Sequence, residues 1–231
     1  MASCLCKYYS NHSNLFRSTK VGLKWARAYS GDDALGQPIE NWVRATSSWF
    51  KVGEALSKGL VLLQEATPLD VANFGVTAVD LLKSLSNKPS DYRKWGLITL
   101  SDQSMRTVNI IKYGSNIVLK TFLLGKNWKG QSALKKLFAM TWIAIACSAF
   151  IKTFYDGYRS GQSAEKPYFE PGIERMFFYS RSLKPLDSNH PISKLFFIEY
   201  LSSDIVRRYL ETTAVALSLL LFWEELSTAN N

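Results

Sequence analysis

An uninterrupted apolar stretch in the second half of the chain limits the architectures that are open to it. Residues 137–151 (LFAMTWIAIACSAFI) carry no charge, and as an α-helix they extend about 22 Å. The hydrocarbon core of a bilayer is ~30 Å thick. When the ammonium group of Lys152 reaches toward the headgroups, the apolar span continues to Tyr155 and extends about 28 Å, enough to cross. The stretch predicts a membrane-spanning helix, with the buried core helix of a soluble bundle as the alternative.

The charges that flank this stretch predict its orientation. The segment before it contains only basic charges, namely Lys126, Lys129, Lys135 and Lys136, whereas both signs occur after Lys152. The positive-inside rule then assigns the start of the helix to the cytosol-like side. The predicted membrane-contacting residues are Leu137, Trp142, Ile145, Phe150 and Tyr155.

A second apolar run near the C-terminus is shorter. Residues 212–223 carry no charge, but as a helix they extend only about 18 Å. A second span here would put Arg207 and Arg208 on the far side and Glu224 and Glu225 on the near side, which reverses the charge rule. We therefore expect one span together with a packed or interfacial C-terminal helix.

The clearest helical periodicity lies between Pro38 and Ala66. Mostly apolar residues recur there at three- and four-residue spacing, the pattern of one face of an α-helix. They are Ile39, Trp42, Thr46, Trp49, Gly53, Leu56, Leu60 and Leu63. We interpret this seam, Ile39–Leu63, as the core-facing stripe of an intramolecular bundle. The alternative is a seam for a helical protein partner.

Capping signals delimit two further helices. The segment Thr67–Asp70 supplies a cap, a helix-opening proline and an acid in the first turn, and predicts a helix that ends near Ser86. Ser101 is the predicted cap of a third helix, which ends at Gly125. The residues predicted to face inward on this third helix are Met105, Val108, Ile111, Ser115, Val118 and Phe122.

Strand patterns are weak, because no period-two alternation lasts beyond a few residues. The predicted fold is all-α, a multi-helix bundle with one or two strongly apolar helices that is membrane-integrated or membrane-associated. We divide the chain into a basic segment (1–30), a helical domain (31–157) with the apolar helix 132–156, a loop (158–171) and a C-terminal helical region (172–231).

The first 30 residues differ in composition from the rest. They contain five basic residues and no acid, and as a helix they present a basic face beside a weakly apolar stripe. This composition is typical of a mitochondrial or plastid transit peptide. The predicted targeting residues are Arg17, Lys20, Lys24 and Arg27. The segment Arg27–Ser30 resembles the site recognised by the mitochondrial processing peptidase, which predicts cleavage after Tyr29.

Two other interpretations of this segment stay open: an export signal of a bacterial secreted protein, and a solvated tail or membrane-surface helix. A secretory signal peptide is excluded, because basic residues interrupt every apolar stretch before it reaches about seven residues. A mitochondrial membrane is the favoured location. A bacterial membrane and secretion to a host membrane are the alternatives.

No motif in the chain points to catalysis, a cofactor or a metal. Three cysteines and two histidines are too few and too scattered for a disulfide framework or a zinc site. The nearest match has the glycine spacing of a phosphate-binding loop, from Gly125 to Gly130, but Gln131 replaces the essential lysine. The net charge of +9 lies largely in the first 30 residues, which does not favour nucleic acid as a partner.

These patterns favour a non-enzymatic helical membrane protein that scaffolds or shapes an organellar or host membrane, with the lipid bilayer as its partner. One alternative is a soluble helical protein-interaction module. Another is a membrane enzyme that holds a lipid-like substrate in an apolar cleft between helices.

Overall fold

The computed structural model describes residues 16, 18–27, 29–30, 37–64, 66–89, 95–159 and 204–229, which are mostly helical. Residues 18–27 form a helix that we call α1. The long helices that follow are α2 (Gln37–Gln64), α3 (Pro68–Leu85), α4 (Asp102–Lys126), α5 (Ala133–Arg159) and α6 (Asp204–Ala229). The predicted all-α class is confirmed. Most of the predicted loop 158–171 lies outside the described residues.

The long helices pack in chain order, each against the next, from α2 to α6. α2 and α3 run antiparallel, because residues later in α2 contact residues earlier in α3. The Ser48 hydroxyl donates to the backbone carbonyl of Ser84 at 3.2 Å, and the Lys58 ammonium donates to the Thr77 hydroxyl at 2.7 Å. The side chains that join this pair of helices are therefore polar.

α4 and α5 are also antiparallel. Lys120 of α4 lies 5.0 Å from the ring centroid of Trp142 near the start of α5. Earlier in α4, Gly114 faces Phe150, and a Cβ built on this glycine would come to 3.4 Å from the ring. A Cβ at this distance would be in ordinary van der Waals contact, so Gly114 and Phe150 mark a level at which the two helices face each other.

Local capping explains where α3 and α4 begin. The Thr67 hydroxyl accepts a hydrogen bond from the Asp70 amide at 3.2 Å, and the Thr67 amide donates to the Asp70 carboxylate at 3.4 Å. The Ser101 hydroxyl accepts from the Ser104 amide at 3.1 Å. Both predicted caps are confirmed, since they satisfy amides that have no partner within the helix. The ends of both helices lie within one residue of the prediction.

A short parallel pairing follows α3. Strand β1 (Ser86–Asn87) pairs with β2 (Ile98–Thr99), in a register that aligns Ser86 with Ile98. A Cβ on Gly96 would come to 3.0 Å from the Asn87 side chain, so glycine permits the close approach of the two segments. The pairing joins only two residues on each side and leaves the all-α class unchanged.

The described helices place small or polar side chains inside and many large apolar side chains outside. The small buried residues include Ser47, Ser48, Ser57, Thr77, Thr141, Ala146, Ser148, Ala149, Thr153 and Ala214. The large exposed ones include Ile39, Trp42, Trp49, Leu56, Leu60, Leu63, Val118, Phe122, Leu137, Met140, Leu219, Phe222 and Trp223. Small interface residues let helix backbones approach each other, a feature common in membrane helix packing.

The interpretation of the seam as a core-facing stripe is wrong. Trp42 is 63% exposed, Trp49 65% and Leu63 83%. Three-four spacing identifies one face of a helix, but it does not identify what covers that face. The opposite side of α2 packs inward, and its buried residues are Val43, Ser47, Ser48 and Ser57.

The inward stripe predicted for the third helix is wrong at three positions. Met105 is buried as predicted, but Ile111, Val118 and Phe122 are each at least half exposed. The physical reason is the same as for the seam. The sides of α4 that contact its neighbours include polar residues, among them Lys112, which pairs with a carboxylate of α3.

Candidate functional site

A cluster of charged side chains lies where α2, α3 and α4 meet. At its centre, Asp80 of α3 accepts from the Lys51 ammonium of α2 at 2.7 Å, and it also forms an ion pair with Lys112 of α4. One carboxylate thus links three helices. We call these groups, together with Lys20, Lys83 and Tyr113, the inter-helix charge cluster.

Lys83 and Tyr113 extend the cluster along α3 and α4. The Lys83 ammonium donates to the Tyr113 phenol oxygen at 2.6 Å. Burial lowers the pKa of Lys83 to about 8, although Tyr113 opposes the shift. Burial would raise the pKa of Tyr113, but Lys83 and Lys112 outweigh it and lower that pKa to about 8. The two groups therefore titrate in the same range.

Lys20 reaches the cluster from α1. Its ammonium donates to the Ser47 hydroxyl of α2 at 3.2 Å. Burial lowers the pKa of Lys20 to about 8, and the positive charges of Lys51, Arg44 and Lys112 act in the same direction. The cluster therefore concentrates positive charge around a single central carboxylate.

Asp80 is ionised in this environment. Burial by itself would raise its pKa, but the charges of Lys112 and Lys51 hold the pKa well below its usual range. The Asp80 side chain retains 28% exposure, and Lys51 and Lys112 retain 21% and 19%. The ion pairs are thus partly shielded from water and still open to the surface.

We expect the melting temperature of the protein to rise between pH 7.5 and pH 10. The pKa values of Lys20 and Lys83 are lowered from 10.5 to about 8, and that of Tyr113 from 10.0 to about 8. In this window these three groups bind more protons in the unfolded chain than in the folded one, so their contribution to stability increases with pH. Thermal melts at constant ionic strength measure the effect.

A triple variant provides the control for this pH dependence. Lys20→Gln, Lys83→Gln and Tyr113→Phe together remove the three groups, so the melting temperature should vary less over the same pH range. A melting temperature that falls steadily from pH 7.5 to pH 10 in the unaltered protein would contradict the assignment.

The predicted targeting residues contact the rest of the protein. Lys24 forms an ion pair with Glu211 of α6, and Arg27 forms one with Glu40 of α2. Lys20 is part of the inter-helix charge cluster, and Arg17 lies outside the described residues. These contacts join the segment to α2 and α6. Its role in targeting and its cleavage stay predictions.

Aromatic contacts add to the docking of α1. The Trp25 indole donates to the Thr212 hydroxyl at 2.9 Å, and its ring lies edge-on to Tyr209 with centroids 5.4 Å apart. The Arg208 guanidinium lies 5.1 Å from the Trp25 centroid, within the range of a cation–π contact. Phe16 is buried as well, so both faces of the segment contact protein.

The predicted membrane-contacting residues occupy different environments. Leu137 is 48% exposed, whereas Ile145 is 7% exposed and contacts protein. Trp142 stacks edge-on with Phe138, and Phe150 is half-buried beside Gly114. The Tyr155 side chain lies outside what the structure describes. Of these residues, Leu137 is thus the one that lies on the outer surface most clearly.

The inter-helix charge cluster was not among the sites predicted from the sequence. A signal was present, because Asp80 lies on a polar stripe of an otherwise apolar helix, with Thr77 one turn earlier. On α2, Lys51, Glu54 and Lys58 repeat at three- and four-residue spacing on the side away from the large seam residues. Two such stripes on consecutive helices indicate a polar interface. The spacing alone does not show which residue of one helix contacts which residue of the other.

Metal-ligating residues do not gather within the described part of the chain, where no group of three or more His, Cys, Asp or Glu could hold an ion. The arrangement instead offers cationic donors, aromatic rings and an exposed apolar surface. No protein-family model, curated protein or solved structure matches the chain.

Proposed function

We propose that this chain is a non-enzymatic helical membrane protein, integrated through α5, that scaffolds or shapes the membrane in which it lies. The observation that carries the proposal is the exposed seam of α2, where Trp42, Trp49 and Leu63 are more than half exposed. The other side of α2 already packs on α3. An exposed apolar surface of this kind marks contact with a membrane or a partner.

The properties of α5 support integration. Residues Ala133–Phe154 form a helix long and apolar enough to cross a membrane, and 33% of its most apolar window is buried in the protein. A helix of this length extends about 33 Å, which matches the hydrocarbon core. A core helix of a soluble protein would be mostly buried, whereas two thirds of this window is half-buried or exposed, which supports lipid contact.

The seam supports a role in shaping the membrane. An amphipathic helix with tryptophan and leucine on its apolar face lies in the plane of the interface and inserts about 5–10 Å into one leaflet. α2 has this character, because Trp49 and Leu56 are exposed on one face while Lys51 and Lys58 bond to α3. Insertion into one leaflet expands that leaflet relative to the other, which bends the bilayer.

A soluble interaction module is the second candidate function, because a helical protein partner could also cover the seam. Alkaline carbonate extraction distinguishes the two candidates. We expect the full chain to stay in the membrane pellet, since α5 crosses the bilayer. Recovery in the supernatant as a monodisperse species would contradict membrane integration and would favour the interaction module.

A tryptophan exchange tests the contact between the seam and lipid. In vesicles that carry brominated acyl chains, Trp42→Phe with Trp49→Phe should reduce the quenching of tryptophan fluorescence. The melting temperature should change little, because exposed substitutions usually alter stability by less than about 0.5 kcal/mol. The matched control is Trp25→Phe with Trp95→Phe, two half-buried tryptophans, which should leave the quenching nearly unchanged. Equal quenching in both double variants would contradict lipid contact by the seam.

The proposal assigns the protein to mitochondria on the basis of its basic N-terminal segment. An acid-free amphipathic helix favours a mitochondrial address, while the ion pairs of Lys24 and Arg27 with the protein body favour retention of α1. Cell fractionation before the carbonate wash should therefore recover the protein with mitochondria, and its N-terminal sequence distinguishes the predicted cleavage after Tyr29 from retention of α1. An N-terminus at Ser30 would contradict retention and support cleavage of a transit peptide.

A further inference from the structure

We propose that the inter-helix charge cluster binds a phosphate-bearing anion, such as the headgroup of an anionic phospholipid. The site lies where side chains of α1, α2 and α4 surround Asp80 of α3. It is distinct from the exposed seam and from α5, so it does not depend on the proposed function.

The charge balance of the cluster carries the proposal. Lys51 and Lys112 both pair with Asp80. Lys20 approaches from α1 and bonds to Ser47, which is neutral. Among the described residues, the cations outnumber the carboxylate that they surround, so they repel one another, and an added anion relieves that repulsion.

The cluster is accessible to such a ligand. The side chains of Lys51 and Lys112 retain 21% and 19% exposure, and Asp80 retains 28%. These side chains therefore still border the solvent, the side from which a ligand would approach. Long lysine side chains can turn their ammonium groups toward an anion while their methylenes stay packed.

The donor set suits phosphate. Ammonium groups present several donors each and bind phosphate oxygens as point charges. Basic pockets between helices at a membrane surface bind anionic lipid headgroups in the same way. Asp80 occupies the centre of the cluster as an internal anion, so it should compete with the ligand for Lys51 and Lys112.

The titration of Lys20 supports the assignment. Burial, together with the charges of Lys51, Arg44 and Lys112, lowers its pKa to about 8, and Asp80 opposes them. A bound anion would stabilise the protonated form and raise this pKa again. Affinity should therefore decrease as the pH rises from 7 to 9 and Lys20 loses its charge.

Calorimetric titration of the full chain in a neutral detergent tests the proposal. The probes are dioctanoyl phosphatidic acid, inorganic phosphate and dioctanoyl phosphatidylcholine. We expect phosphatidic acid to bind and phosphatidylcholine not to bind. Lys20→Gln should weaken binding about tenfold, the effect of losing one charge-assisted contact. Asp80→Asn should strengthen binding, because it removes the competing carboxylate.

Lys129→Gln is the matched control, since it makes the same charge change at an exposed lysine outside the cluster. It should leave affinity unchanged. Much tighter binding of phosphatidic acid than of inorganic phosphate would identify a lipid as the ligand, and equal binding would identify free phosphate. Equal weakening by Lys20→Gln and Lys129→Gln, or no binding of either phosphate probe, would overturn the proposal. Circular dichroism of each variant verifies that it is folded.

Discussion

Ile145→Arg is expected to prevent assembly of the protein in the membrane. Ile145 lies near the middle of α5 and is 7% exposed. Arginine at the centre of a spanning helix costs ~3 kcal/mol on insertion scales, and an unpaired charge among packed helices adds a further penalty. The measurement is the amount of protein that resists carbonate extraction, together with its resistance to proteolysis.

Leu137→Arg is the matched control for this substitution. Leu137 is 48% exposed and lies in the second turn of α5, directly after Lys136. An arginine there can extend its guanidinium to the headgroups, so integration should be nearly normal. An Ile145→Arg protein that integrates as well as the Leu137→Arg protein would contradict a span centred on Ile145.

The Ile145→Arg protein could be lost through poor membrane insertion or through poor helix packing. An insertion assay on the isolated segment 133–159 separates these two causes. The unaltered segment should insert, because its apolar stretch is long enough to span a bilayer, and the Ile145→Arg segment should insert less. Failure of the unaltered segment to insert would show that α5 is a core helix. Loss of the full-length variant would then reflect packing alone.

Asp80→Ala is expected to lower the free energy of unfolding by about 2 to 3 kcal/mol. The substitution removes the carboxylate that pairs with Lys51 and Lys112, and it leaves both cations in a partly buried site without that partner. Breaking one partner of a fully buried pair costs more, about 3 to 5 kcal/mol. The partial exposure of this site reduces the expected cost. Urea unfolding monitored by circular dichroism measures it.

Asp102→Ala is the comparison for Asp80→Ala. Asp102 pairs with Lys88 at 3.0 Å, but its side chain is 61% exposed, and exposed pairs contribute about 0 to 1 kcal/mol. Asp102→Ala should therefore lower the free energy of unfolding by less than Asp80→Ala does. Equal losses at both positions would show that Asp80 acts as an ordinary surface residue and that the cluster does not join the three helices.

The amino-acid sequence alone determined the helices and their starts. Thr67 and Ser101 cap the helices that follow them, because each cap is a contact between residues three apart in the chain. The apolar character of α5 could be predicted for a similar reason, since it depends on one continuous stretch. Information of this kind is local and needs no knowledge of neighbouring helices.

Only the tertiary structure decided which face of each helix lies inside. The large residues of the seam have the spacing of a core stripe, but Ser48 and Lys51 on another face meet Ser84 and Asp80 of α3. At the helix interface these polar groups bond to each other, and small residues fill the space between the backbones. The large apolar side chains remain outside. The physical reason is that periodicity specifies directions around one helix, whereas burial depends on what a second helix or a membrane brings against them.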